Sequence, residues 1–289
     1  MEINEFGAFL KLRSHWTQNF IWRSNILRLG VLEETITDMH LFSIADKFGE
    51  NIITKKFNRR EEGSSSGADW LWFVGEPGSW LPLLIQAKVV NPKTQNCQHL
   101  NYNNGEQRRL LLRYARQHSY LPLYCIYSYV PPDFVPNRSF DNKSYSNDDW
   151  ACSFLSPKIV RMFSKTNERS QKELLKYCVP WEIPFCMSAN YSSTKGEAAA
   201  SAFLDIRNHF VSQDRRLLPS ANLERKSATS LKHVDWENLD TTRAVRTELP
   251  HQICKWVSAK STNSLAVPVS GISIISTKPI DEIEELKKQ

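Results

Sequence analysis

Three groups of residues in this chain have the types and spacing to act on a phosphodiester. They are the acidic pair Glu33–Glu34, with Asp38 nearby, then Asp69, then the triplet Gln86-Ala87-Lys88. Hydrolysis of a phosphodiester calls for a divalent metal, which neutralises the phosphate and lowers the pKa of a bound water. Carboxylate and carbonyl oxygens are the hard ligands that suit Mg²⁺. A lysine beside such a site orients or deprotonates the attacking water, and its charge favours an anionic transition state. Asp69, a neighbouring oxygen ligand and Lys88 would supply those functions.

The elements around these residues are predicted to bring them together. DWLWFV, a GEPGS turn and WLPLLIQAKVV read as two antiparallel strands of a hairpin. Side chains alternate along a strand, so Gln86 and Lys88 share a face and Ala87 points away. A turn centred near Pro77 or Gly78 sets Asp69 against residue 86 or 87. Upstream, about Glu5 to Phe48 reads as helical, with Leu29, Leu32, Ile36 and Met39 as an apolar stripe near the 3.6-residue period. Only one of Glu33 and Glu34 can then point at Asp69. IITKKFN, Ile52 to Asn58, is a first strand, and the serine–glycine run from Gly63 to Gly67 a loop.

Downstream, Gly105 to His118 is predicted as a helix with Leu110, Leu111, Tyr114 and Ala115 inward and Arg108, Arg109, Arg113 and Arg116 elsewhere. Leu121 to Val130 is a buried strand ended by two prolines. A strand, a helix and a strand in that span imply a crossover with parallel pairing. The order is helix, three strands, helix, strand: an α/β fold with a mixed central sheet flanked by helices. Further on, Phe134 to Trp150 is polar and turn-rich. SPKIVRMF, QKELLKYC and KGEAAASAFLDIRNHF look helical. Pro219 to Pro250 reads as a polar loop, LAVPVSGISIIST as a late strand, and DEIEELKKQ as a short charged helix or disordered end.

Composition bounds the alternatives. The 289 residues, 41% hydrophobic with nine Trp and fourteen Phe, suffice for a sizeable core. A net charge of +6 is compatible with a polyanionic partner. Six cysteines occur without a C-x-x-C pair, which argues against a structural zinc site, and reduced thiols are expected. No secretory leader and no apolar run of spanning length is visible, so a cytoplasmic protein without a membrane partner is expected. A Gly-rich phosphate loop and a G-x-S-x-G elbow are both missing.

Each residue has a plainer reading. Asp69 follows Gly-Ala in ordinary turn chemistry, Lys88 alone is a snorkelling lysine, and Gln86 alone is a satisfied polar group in a sheet. Glu33, Glu34 and the arginines of the second helix would alone be a solvated face. His99, His118 and His233 read as structural or exposed, and Trp70 and Trp72 as core. Order and placement together favour a site.

This arrangement resembles the PD-(D/E)XK nuclease superfamily, in which an Asp on one strand precedes (D/E/Q)-x-K on the next. More narrowly, EETITD, GADWLW, LIQAK and a helix leading into PLYCIYS resemble a bacterial family assigned to that superfamily, over about residues 30–130, and WACSFLSPKIV also looks familial. The resemblance implies a restriction-endonuclease-like αβββαβ core over 1–132 and an α-rich C-terminal extension, 133–289, packed on it. It implies a nuclease dependent on Mg²⁺ or Mn²⁺ that hydrolyses phosphodiester bonds, in DNA before RNA. Asp69 would be the main metal ligand and Lys88 the catalytic lysine. Glu34 would be the helix acid at the metal or its water, with Glu33 as the fallback. Gln86, as a further metal ligand, departs from the acidic residue of the motif, because an amide oxygen coordinates without charge. Gln107, with Arg108 and Arg109, would contact nucleic acid. A role in defence against phage is implied, with a homo-oligomer or a defence partner protein. The competing expectation is a catalytically inactive nuclease fold that binds nucleic acid or a protein partner.

Overall fold

The computed structural model of the chain describes residues 1–57, 65–134, 145–166, 168–191, 194–217, 244–258 and 269–287. It is an α/β structure whose seven-stranded mixed sheet is flanked by helices. The hairpin expected from the sequence is β2 (Trp70–Glu76) and β3 (Ser79–Val89), paired antiparallel with Trp70 opposite Ile85 and Glu76 opposite Ser79. Pro77 and Gly78 make the turn, and Gly78 takes φ 90°, which favours glycine. Every residue of β3 except its last is buried, as the apolar run demands.

Helix α3 (Glu106–His118) carries the chain from β3 to β4 (Leu121–Tyr127), which pairs parallel with β3, as the crossover predicts. Of the four inward positions expected on α3, Leu111 and Ala115 are buried, while Leu110 and Tyr114 are half-buried. β5 (Cys152–Leu155) and β6 (Val179–Pro180) extend the sheet antiparallel beyond β4.

The other side of the hairpin departs from the expected core. β1 (Ile52–Lys56) does not neighbour β2. The late strand β7 (Gly271–Ser276) lies between them, antiparallel to β1 and parallel to β2. The boundary expected at residue 132 therefore does not divide the sheet. Residues beyond it supply three strands, and β1 reaches the hairpin only through one of them. The physical cause lies in β7's GISIIS, buried at all six positions, a composition that belongs in a sheet interior.

The N-terminal region is two helices, not one. α1 (Ile3–Ile26) buries Ile3, Phe6, Leu10, Ser14, Thr17 and Ile21, a helical stripe, and α2 spans Glu33–Lys47. Arg28 takes φ 58° between them, and the Leu29 N–H donates to Ser24 O, which ends α1. Because α2 starts at Glu33, the stripe expected through Leu29, Leu32, Ile36 and Met39 is out of phase. Leu29, Leu32 and Met39 are 61%, 66% and 40% exposed, and the buried stripe is Ile36, Thr37, His40, Leu41 and Ile44. His233, most of the loop expected from Pro219 and residues 265–268 of the late strand lie outside the described residues.

An aromatic layer joins these helices to the sheet. The Trp72 ring packs on Phe6 of α1 and on Trp181 and Phe185, and Tyr127 packs on His40 of α2 and stacks with Trp70. Trp70 and Trp72 are core, as read. All six cysteines are free thiols.

His40 is buried within this layer. Arg13 Nε donates to its Nδ1 at 3.2 Å, so Nε2 carries the proton and donates to Thr17 Oγ1 at 2.9 Å. Burial, helped by the Arg13 charge, holds its pKa well below the usual histidine range. The ring is a neutral structural link between α1 and α2.

Glu182 is buried beneath α1 with neither carboxylate oxygen hydrogen-bonded, and desolvation pushes its pKa up to about 8. The buried Asp149 carboxylate adds to that rise, and Lys11 opposes it. The folded chain thus holds a proton that the unfolded chain loses at lower pH. This destabilises the fold increasingly as pH rises from the ordinary carboxylate range toward about 8. Thermal melts should show stability falling over that window, and Glu182→Gln should flatten the fall and melt higher at the alkaline end.

Candidate functional site

The hairpin register decides what Asp69 meets. The Asp69 N–H donates to Ile85 O at 2.9 Å, the residue that Trp70 faces in the ladder, and this holds Asp69 beside the end of β3. Asp69 Oδ2 then accepts two hydrogen bonds, from the Ala87 backbone N–H at 2.6 Å and from Gln86 Nε2 at 2.5 Å. Gln86 Nε2 also donates to Ala87 O at 3.0 Å. Two acceptors around one amide atom identify it as the nitrogen, because the oxygen there would face a carboxylate and a carbonyl. Gln86 Oε1 is consequently directed elsewhere, buried and without a hydrogen-bond partner. An orphaned buried acceptor costs about 1–3 kcal/mol, so it marks a place for a donor or an ion.

Lys88 is almost wholly buried near the end of β3, and its Nζ lies 3.3 Å from Glu33 Oε1 at the start of α2. Burial raises the Glu33 pKa, while the Lys88 charge and hydrogen bond, and a hydrogen bond from the Val89 N–H, pull it back. The half-buried position of Glu33 makes this pairing stronger than a surface ion pair, where water screens the charges.

Asp69, Lys88, Glu33 and Glu34 all line one cleft of about 770 Å³, with Gln107 on α3. The structure thus brings Asp69, Lys88, Glu33 and Glu34 to one cleft, while Asp38 pairs with Lys56 off its wall. On the helix, Glu33 reaches Lys88, and Glu34, exposed, lies along the same cleft. The reason is the late start of α2, which puts Glu33 at its first residue, over the end of β3.

Gln86 lies beneath the cleft and is not part of its wall. Arg108 and Arg109 also stand off the wall. Arg108 is half-buried, one guanidinium nitrogen is enclosed without a partner, and desolvation lowers its pKa. Arg109 is exposed and donates to Asn104 O at 3.1 Å. Sequence reasoning passed over Arg28, Lys93 and Tyr102, and took His99 as structural or exposed; all four line the cleft. They lie on connecting segments, where no periodicity points to a site.

Among the described residues no group of three or more His, Cys, Asp or Glu side chains is placed to hold a metal ion. A hexacoordinate Mg²⁺ asks for less, since it binds through one or two carboxylates and keeps several waters. Asp69 fits that limited donor set, whereas the orphaned Gln86 oxygen is directed away from the Asp69 carboxylate. Asp69 also has a measurable structural share: Asp69→Ala strips the Ala87 N–H of its acceptor and leaves the Gln86 amide only Ala87 O. It should lower stability by about 1–3 kcal/mol in urea unfolding, and Asp69→Asn by less.

No helix among the described residues is long and apolar enough to cross a membrane. Comparison with curated proteins finds none that matches the chain. The profile of a family described as "Family of unknown function (DUF6615)" matches residues 7–281, nearly the whole chain, and the chain belongs to that family.

Proposed function

We propose that this chain is a metal-dependent nuclease of the PD-(D/E)XK type, with Asp69 and Lys88 at its centre and nucleic acid as its substrate. The observation that carries the reading is the convergence of Asp69, Lys88 and Glu33 on one cleft. The α2-β1-β2-β3-α3-β4 order supports it, since that is the order of the superfamily's core. The insertion of β7 between β1 and β2 is an elaboration of that core on this reading.

Asp69 would hold Mg²⁺ or Mn²⁺, and Gln86 would add a neutral second donor only with its amide turned over, since Nε2 and not Oε1 faces Asp69. Bound there, the ion supplies Lewis acidity and an acidified water. The Ala87 N–H and the Gln86 amide hold the Asp69 carboxylate in one orientation, so it meets the ion without reorganising. Lys88 offers its ammonium to the phosphate oxygens, where negative charge accumulates as water adds to phosphorus and an ester oxygen leaves with a proton. Glu33 keeps Lys88 aimed along the cleft, a positioning role that we assign to it in place of Glu34.

A second reading has an observation of its own. Gln86 turns its amide nitrogen, not its oxygen, toward Asp69 Oδ2. A chain that retained this fold as a binding subunit without catalysis would tolerate that donor against the metal-ligand oxygen.

Cleavage assays with Mg²⁺ and Mn²⁺ on DNA and RNA separate the two. Asp69→Ala and Lys88→Ala should each lower the rate by about 100-fold or more. Gln86→Glu should reduce the metal concentration needed for half-maximal rate. Cleavage that survives both Asp69→Ala and Lys88→Ala, or that never appears with any metal and substrate, would favour the binding subunit.

A further inference from the structure

We infer that the cleft takes a single nucleic-acid strand whose bases are unpaired, with Tyr102 and His99 as the stacking surface. This deepens the proposed function and rests on its nucleic-acid reading.

The walls and the floor of the cleft differ in chemistry. Its less exposed members include Asp69, Glu33 and Lys88, the groups that would act on a phosphodiester, beside aliphatic residues such as Val90. Its exposed members include the cations Arg28 and Lys93, the rings of His99 and Tyr102, and the aliphatic side chains of Leu29 and Leu32. Tyr102 is 59% exposed, and with Leu29 and Leu32 it places three of the large exposed hydrophobic side chains on this one cleft. A duplex offers phosphates and groove edges to a protein and keeps its base faces stacked away. Aromatic and aliphatic side chains beside cations complement instead a strand that offers base faces and phosphates together.

The aromatic wall is also held in place. Cys97 and Leu100 are buried, and Cys97 N donates to Arg169 O at 2.8 Å. Leu100 N bonds Cys97 O and Tyr102 N bonds His99 O, so the segment folds back twice and leaves the two rings outward. Their centroids lie 6.2 Å apart at 70°, edge to face, which leaves ring surface open to a base. Asn103 and Asn104, both at positive φ, and the buried Gly105 at φ 77° turn the chain directly into α3. Few residue types tolerate these left-handed conformations, which fixes where Tyr102 stands.

Size agrees. Clefts of roughly 300–1,000 Å³ hold ligands of drug size. At about 770 Å³ this one lies within that range, room for a short stretch of one strand.

The test is equilibrium anisotropy with the full chain, in EDTA so that nothing is cut. The probes are end-labelled oligo(dU), oligo(U) and a duplex of matched length. Both single strands should bind more tightly than the duplex, and the better of the two identifies the sugar preferred. Tyr102→Ala should weaken single-strand binding by about 5- to 150-fold, the range expected for one stacked base, and Tyr102→Phe should restore it. Circular dichroism should show both variants folded, since the side chain is exposed. Duplex binding equal to or tighter than single-strand binding, or an unchanged affinity in Tyr102→Ala, overturns the inference. Failure here alongside Asp69-dependent cleavage would leave the nuclease reading standing. Tyr102-dependent strand binding without cleavage would sink the nuclease reading and leave this one.

Discussion

The two hydrogen bonds that converge on Asp69 Oδ2 are the constraint from which the rest of the site follows. One comes from the Ala87 backbone and one from the Gln86 side chain, so both depend on the β2–β3 register. A slip of one residue would turn Asp69 to the other face of the sheet and part it from both donors. The two-residue turn at Pro77–Gly78 and the fully buried apolar faces of both strands hold that register. Lys88 inherits its place from the same strand, two residues beyond Gln86, and Glu33 meets it because α2 begins where β3 ends.

The surroundings of the hairpin explain how such a site stays rigid. β2 and β3 are interior strands with parallel neighbours, β7 and β4, on either side. β7 comes from near the end of the chain, so the folded site requires contacts between residues about two hundred positions apart in sequence. The Trp70, Trp72 and Tyr127 rings then tie the sheet to α1, α2 and Trp181. A reacting group on a central strand, braced on both sides, keeps its geometry better than one on a loop. The aromatic wall of the cleft is a loop, and it reaches similar definition through buried anchors and left-handed backbone.

Much of the local structure was legible because it rests on short-range chemistry. The hairpin follows from alternation and the Pro-Gly turn, and the parallel β3–α3–β4 unit from a strand, a helix and a strand in close order. The approach of Asp69 to residues 86 and 87 follows from counting across the turn. What was not legible depends on long-range or one-residue effects. The seat of β7 between β1 and β2 has no local signature, since GISIIS would read as a buried strand anywhere in the sheet. The α1–α2 break hangs on Arg28 in a left-handed conformation, which no apolar period reports. That break moved the start of α2, exposed Leu29 and Leu32, and set Glu33 beside Lys88. The amide orientation of Gln86 is likewise a product of two acceptors that meet only in the folded chain.

The central claim is that the Asp69 carboxylate grips a divalent ion in the cleft it shares with Lys88. Anomalous scattering from crystals soaked in Mn²⁺ measures this directly. The account predicts a single strong anomalous peak within coordination distance of Asp69 and in line with Lys88 across the cleft, lost in Asp69→Ala. Ordered density for Asp69 and Gln86 as described here, with no manganese at Asp69 at saturating concentration, would contradict it.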